Sequence, residues 1–287
     1  MTVLPQGRQN SAYRSGCHKV VLSLPKLTPG RWSPDSLNTA RSQDYNHFRM
    51  CGRYRLARKK EILAETFDAE NEVEWSPRYN VAPGQDVVAV RQDATRPVRT
   101  LSLVRWGLIP SWSKDAKAGY KMINARAETV ADLPAFRDPF RSRRCLIPAD
   151  GFYEWTKQGK QKSPFLFSMA DDSIFAFAGI WDRWANPNKR NPDKTNPNKE
   201  WVETCSIITT SANALLSGIH ERMPVILKRD DYDLWLDPGF KKVEHLRDVL
   251  KPFPADAMRH YRVSTRVNSV NNDDPACAEE YVPNLLF

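Results

Sequence analysis

Cysteine is scarce and scattered in this 287-residue sequence: Cys17, Cys51, Cys145, Cys205 and Cys277 lie far apart, no two form a Cys-x-x-Cys pair, and there are five histidines. That argues against a structural zinc knuckle and a disulfide framework, and it points to a reducing compartment. No apolar run approaches the about 18 residues that cross a bilayer, so a soluble protein with no membrane partner is expected. Glycine-rich phosphate loops and clustered His/Cys ligands are both missing, so neither a metal nor a nucleotide cofactor is expected.

What is present is a chain that is 41% hydrophobic, enough for a full-sized core, at a length that suits one large domain or two small ones. A formal charge of +9 and a pI near 9.3 favour an anionic partner such as nucleic acid, without separating DNA from RNA or an acidic membrane surface. In residues 1 to 49, seven basic side chains (Arg8, Arg14, Lys19, Lys26, Arg31, Arg41, Arg49) stand against Asp35 and Asp44, so about half of the excess charge lies there. Scattered Ser and Pro and no periodic apolar face give this segment the composition of a disordered tail. It is Arg-rich and acid-poor like a transit peptide, but Pro5, Pro25, Pro29 and Pro34 argue against the amphipathic helix such peptides form. A start assigned upstream of the true one is the plainest explanation, and residues 1–50 are read as an extension ahead of a domain over 51–287.

From Cys51 the chain reads as α+β. "KKEILAETFD" has helical spacing, and "DVVAVRQD", "RTLSLVRWGLIP", "RCLIPADGFYEW", "FLFSMAD", "IFAFAGIWDRW" and "TCSIITTSAN" read as strands. "DDYDLWL" and "VEHLRDVL" predict short helices. Many short strands with few long helices between them imply a single domain on antiparallel or barrel-like sheet with peripheral helices. "ANPNKRNPDKTNPNKEW", residues 185–201, predicts a solvated loop between two strands.

Five segments place polar residues in strand-like surroundings: "MCGRY" (50–54), "RWGLIPSW" (105–112), "INARAET" (123–129), "PADGFYEW" (148–155) and "HERMPVIL" (220–227). Singly, each has a plain structural reading: Asn124 as a helix cap, Glu154 as an arginine's partner, His220 as a satisfied histidine. In their order along the chain they resemble the signature blocks of the SOS-response-associated peptidase family, the abasic-site processing proteins, from Cys51 to about Asp273. The resemblance implies a protein, expected to be monomeric, that binds single-stranded DNA in a bacterial cytoplasm or a nucleus. It also implies covalent capture of abasic sites through an N-terminal cysteine exposed by loss of the preceding residue, with self-removal of a leader and room for a lyase activity. Cys51 then looks like position two of the working protein.

The chemistry such a cysteine offers is specific. An open abasic sugar presents an aldehyde; an α-amine converts it to a Schiff base, and a thiol on the adjacent carbon closes a thiazolidine. An internal cysteine gives only a reversible hemithioacetal. With reference pKa values of about 7.7 to 8.0 for the amine and about 8.5 for the thiol, both are partly deprotonated near neutrality. By motif position, Asn124 would hold the amine or a sugar oxygen, Glu154 would shuttle protons, and His220 would serve as second acid/base in opening the sugar. Tyr153 and Trp155 beside Glu154 are expected to raise its pKa by desolvation. Cys145 and Cys205 suit the role of small buried hydrophobes.

Single-strand binding needs cations for phosphates and flat side chains for bases. Arg53, Arg126 and Arg222 each fall two positions after a proposed catalytic residue, and Trp106 and Trp112 are candidates for stacking. Ordinary core packing is the alternative for both tryptophans, and Trp112, past the Pro110 turn, is better placed for exposure. "YNVAPGQ" (79–85) reads as a turn along the same groove, and "STRVNSVNND" (264–273) as a polar strand supporting the site. Two rival readings use the same residues: an N-terminal-nucleophile amidohydrolase in which the α-amine of Cys51 is the base, and a non-catalytic reader of modified bases that does without Cys51.

Overall fold

The computed structural model describes residues 52–70, 73–158, 161–185 and 201–282. The expected tail, Cys51 itself and nearly all of the Asn/Pro/Lys-rich segment lie outside the described residues. In chain order the strands are β1 (Tyr54–Leu56), β2 (Ala69–Glu70), β3 (Arg78–Val81), β4 (Asp86–Gln92), β5 (Arg99–Trp106), β6 (Asn124–Arg126) and β7 (Arg144–Ala149). They continue with β8 (Gly151–Gln158), β9 (Gln161–Met169), β10 (Phe175–Ala185), β11 (Trp201–Ser211), β12 (Arg222–Pro224), β13 (Ile226–Leu227) and β14 (Met258–Arg262). The α-helices are short: α1 (Lys60–Phe67), α2 (Arg137–Ser142), α3 (Tyr232–Leu236) and α4 (Val243–Asp248). The class is α+β, as the pattern of short strands implies.

Five strands close on themselves. β11 pairs with β10, β10 with β7, β7 with β4 and β4 with β5, all antiparallel, and β5 returns to β11 in parallel through Thr204 opposite Arg105 and Cys205 opposite Trp106. Closure removes the open edges that a sheet of apolar strands would otherwise present. Val87 to Val90, Leu146, Ile147, Phe177, Cys145, Cys205 and Ile207 are all fully buried and fill the core. Both cysteines behave as small hydrophobes, and burial raises both thiols, that of Cys145 to about 12. Arg144 opens β7 as a buried cation. It donates to the carbonyls of Trp235 (2.7 Å), Phe140 (2.8 Å) and Arg141 (2.7 Å), tying α2 and α3 to the barrel.

A second sheet runs β14-β9-β8-β1-β3, every pair antiparallel. The stretch "RCLIPADGFYEW" is therefore two strands in two sheets, where the sequence reads as one. Asp150 makes the corner: its carboxylate accepts Arg55 Nε (2.7 Å) and the Ala57 amide (2.9 Å) and pairs with Arg58 (3.3 Å). Gly151 follows because a Cβ there would meet Leu166 Cδ1 at 2.8 Å. Period-2 alternation then divides the second sheet. Tyr54, Leu56, Phe152 and Phe167 join the barrel core, whereas Tyr153 and Leu166 pack on the other face with Val263, Val267 and Cys277. The polar segment 264–273 is not a strand. Ser264 Oγ accepts the Arg266 amide and starts a 3-10 turn over Thr265–Asn268, since a Ser at that position satisfies the turn's own backbone.

β5 ends where Gly107 takes φ 127°, a conformation that favours glycine. The two glycines of this region face each other, so that a Cβ on Gly107 would lie 2.7 Å from the Gly119 carbonyl oxygen. That approach lays the 107–122 loop back along the barrel rim. Gly107→Ala is expected to cost about 2 kcal/mol or more, combining strained φ with a backbone clash. Gly218→Ala, where a Cβ meets nothing within 4 Å, should stay within about 0.5 kcal/mol of the unsubstituted protein. Urea denaturation of the two variants checks both.

Candidate active site

Strand β11 is the frame of the site. Beyond the barrel its two edges remain to be paired: Ile207, Ile208 and Thr209 take Asn124, Ala125 and Arg126 of β6 in parallel, and Thr209, Thr210 and Ser211 take Pro224, Met223 and Arg222 of β12. Asn124 thus lies on a strand; it is not a helix cap. Its β6 segment is further held by the Leu108 amide on the Met122 carbonyl (3.1 Å) and by the Ile207 amide on the Ile123 carbonyl (3.1 Å). His220 precedes β12, and its Nδ1 accepts the Arg222 backbone amide at 3.0 Å. Burial, assisted by the Arg222 charge, holds the imidazole below its ordinary pKa.

The second sheet supplies the carboxyl group. β8 pairs with β1 through Tyr54 opposite Phe152 and Arg55 opposite Gly151, and the Tyr153 amide donates to the Arg53 carbonyl at 3.0 Å. Glu154 follows on β8, on the barrel-facing side with Phe152 by the alternation of the strand, and is 3% exposed. The expectation that Tyr153 and Trp155 desolvate it is corrected by the pleat: both project to the opposite face, where Tyr153 OH donates to the Tyr79 carbonyl (2.7 Å) and Trp155 Nε1 to Asn268 Oδ1 (2.7 Å). Glu154 is buried instead at the seam between the sheets.

The seam is bridged by Trp106. It is 1% exposed, its ring centroid lies 5.5 Å from that of Tyr54, and its indole N–H donates to the Ile123 carbonyl at 2.9 Å. A side chain so placed takes the core packing that is the alternative reading for it. It joins the strand that follows Cys51 to the residue before Asn124. Trp112 is 65% exposed. Together with Asn124, Arg126, Lys121, Met122 and Phe136 it lines a cleft of about 480 Å³, of which Glu154 and His220 are not lining residues.

The three arginines differ in kind. Arg126 is exposed on the cleft. Arg53 is committed to protein acceptors: Nη1 donates to Asn80 Oδ1 and to the Val267 carbonyl, both at 2.7 Å, and burial lowers its pKa. Asn80, fully buried, donates in turn to the carbonyls of Val267 (3.2 Å), Ser269 (2.9 Å) and Asn272 (2.6 Å), while Asp273 accepts the amides of Tyr79 (2.6 Å) and Asn80 (2.8 Å). Arg222 forms a two-point ion pair with Glu128 and donates to the Thr209 carbonyl (2.7 Å). Asn80 and Glu128 carry the site's support without having been singled out as site residues. The signals are an Asn inside the strand "YNV" and a Glu four residues after Asn124.

Among the described residues no group of three or more His, Cys, Asp or Glu side chains is arranged to hold a metal ion, and no helix is long and apolar enough to cross a membrane. Residues 50–270 match the family model described as SOS response associated peptidase (SRAP). Abasic site processing protein YoqW of Bacillus subtilis (strain 168) is 42% identical over 236 residues, which span 81% of this chain and 100% of the relative. Abasic site processing protein HMCES of Gallus gallus is 34% identical over 71% of this chain and 66% of its own. A crystal structure of a Bacteroides thetaiotaomicron protein superposes with a TM-score of 0.70 at 28% identity, covering 81% of this chain and 100% of that one. By the match over residues 50–270 and the 42% identity, the chain belongs to the SOS-response-associated peptidase family.

Proposed function

We propose that this chain processes abasic sites in DNA by covalent capture, with Cys51 as the N-terminal residue of the working protein. The observation that supports the reading is the pairing of β1 with β8, Tyr54 opposite Phe152, on the strand that carries the buried carboxyl group of Glu154. The 42%-identical relative named as an abasic site processing protein supports the substrate class.

In this mechanism the α-amine of Cys51 adds to the aldehyde of the opened sugar. Glu154 gives its proton to the carbinolamine oxygen, which leaves as water, and its carboxylate then takes the proton of the nitrogen, so that an imine remains and Glu154 is protonated again. The thiol then adds across the imine, sulfur to carbon and proton to nitrogen, closing the thiazolidine; the balance is aldehyde plus cysteine to ring plus water. A carboxyl group suits this transfer because it can both give a proton and take one back within a single reaction. Asn124 orients the amine or a sugar oxygen from the barrel side. Trp112 and Arg126 meet the flanking base and phosphate of a single strand, by stacking and by charge. A residue acting as an internal thiol nucleophile would not need the amine, and self-removal of a leader ahead of Cys51 is the place where peptidase chemistry enters.

Protein beginning at Cys51, incubated with abasic single-stranded DNA and run on a denaturing gel, should give a heat-stable shifted band. Cys51→Ala should abolish the band, and Glu154→Gln should slow it by about a hundredfold, in line with the loss of a general acid. A band of undiminished yield from Cys51→Ala, or from protein whose measured mass still includes residues 1–50, would refute the proposal.

The pH dependence follows from the amine. Burial keeps His220 neutral across the range, about 7.7 to 8.0, in which an α-amine loses its proton. The capture rate should therefore rise with pH along one limb that belongs to the amine. His220→Gln should lower the limb without moving its midpoint, and a shifted midpoint would show that His220 titrates there. The same depressed pKa favours the neutral ring in the fold, so its contribution to stability is full above about 6.5 and is lost as the pH falls below that value.

A further inference from the structure

The ion pair between Glu128 and Arg222 has no part in the reaction just described, yet it reaches His220. Both carboxylate oxygens of Glu128 accept from the Arg222 guanidinium, Nη2 at 2.8 Å, and the same Nη2 donates to the Thr209 carbonyl at 2.7 Å. The Arg222 side chain is 12% exposed and that of Glu128 52%, so a mostly buried guanidinium is held by a carboxylate at the surface. Arg222 is also the first residue of β12, a strand of three residues, where pairing with Ser211 is at its end. Strand ends fray unless something else holds them. Here the side chain does so, and the backbone amide it steadies is the one that donates to His220 Nδ1 at 3.0 Å.

We infer that Glu128 is a positioning residue that, through Arg222, locks His220 as the tautomer with its proton on Nε2. A ring nitrogen that accepts a hydrogen bond has no proton of its own, so a neutral imidazole with an occupied Nδ1 carries hydrogen on Nε2. The His220 amide is held as well, by the Leu216 carbonyl at 2.9 Å, so the ring is framed from both sides of its own backbone. Glu221 and Arg222 are the charged groups that act on it. The consequence, which rests on the proposed capture reaction, is a change of role. His220 is not a second base. It presents an N–H to a sugar oxygen and stabilises the opened sugar as a donor, leaving proton acceptance to Glu154. Glu128 itself touches no reacting atom. It lies on the segment that carries Asn124, since the Ala127 amide donates to the Thr209 carbonyl at 2.8 Å, so one carboxylate couples the Asn124 and His220 sides of β11.

The test is a long-range proton–nitrogen spectrum of the full chain labelled at histidine nitrogen, with His220 identified by its loss in His220→Gln. The unsubstituted protein should show a protonated Nε2 and an unprotonated Nδ1. Glu128→Ala should bring the two nitrogens toward a common, averaged shift, and Glu128→Gln, which keeps one acceptor for Arg222, should fall between. In protein starting at Cys51, Glu128→Ala should slow capture about tenfold, part of what a correctly placed proton-bearing group contributes. Binding to a strand with tetrahydrofuran in place of the abasic sugar, which has no aldehyde, should change by less than about twofold, the separation expected of a group acting in the reaction rather than in binding. A single Nε2–H tautomer surviving in Glu128→Ala would overturn the inference, and so would an averaged tautomer with an unchanged capture rate. If the unsubstituted protein captures no abasic DNA, the proposed function fails, while the spectra still decide whether Glu128 sets the tautomer.

Discussion

The site exists because β11 is longer than the barrel it closes. A buried strand cannot leave its amide and carbonyl groups unpaired, each orphan costing about as much as a lost hydrogen bond and more in an apolar setting. Within the barrel, β10 and β5 satisfy them; past Ile207 the pairing must come from elsewhere. β6 and β12 meet that demand on opposite edges of the same few residues, and each brings a polar side chain that the sequence marks as unusual, Asn124 on one side and His220 on the other. The Thr209 carbonyl receives both the Ala127 amide and the Arg222 guanidinium, which shows how completely the two additions share one support.

The second requirement is a wall opposite that frame, and it comes from a change of sheet. Asp150 satisfies three donors from the end of β1 and the turn after it, and this clamp turns the chain out of the barrel into β8. Because partners in an antiparallel pair share a face, the register that sets Tyr54 against Phe152 also aims Glu154 at the barrel. Slipping β8 by one residue would exchange Glu154 for Trp155 on that face and put an indole where the carboxyl group lies. The Asp150 clamp and the Tyr54–Trp106 contact thus protect the register that keeps Glu154 on that face.

Much of this was legible in the sequence, and what was not has identifiable causes. The strand blocks, the terminal short helices and the α+β class follow from period and length, and Trp112 follows from its place beyond Pro110. The break at Asp150 was hidden because both halves of "RCLIPADGFYEW" are apolar, one buried on two faces and the other packing two different cores, so no change of period marks the corner. Trp106 misleads for a related reason: an aromatic at a strand end suits either a core or a base, and only closure of β5 on β11 decides. Asn80 and Glu128 escape notice because their value lies in partners about 190 and 94 positions away. A polar residue inside a strand signals that a partner is needed but not which one.

Commitment of the arginines also bears on how such a site must bind an anionic strand. Arg53 and Arg222 already give donors to Asn80, Val267, Glu128 and Thr209, so part of their hydrogen-bonding capacity holds the site together. The remaining charge near the cleft is Arg126 with Lys121, and Lys114 and Lys117 on the exposed stretch beyond Trp112. Each neutralised phosphate contributes only about 0.7 to the salt slope for a single strand, so a few cations give weak, readily reversed association. In the proposed reaction that weakness is consistent with the chemistry. A protein that ends joined to its lesion by a closed ring has no need of a tight encounter complex; it needs one that places the aldehyde between β11 and β8 for long enough to react. Part of the positive charge serves the scaffold, and in the proposed reaction the durability of the complex is left to a covalent bond.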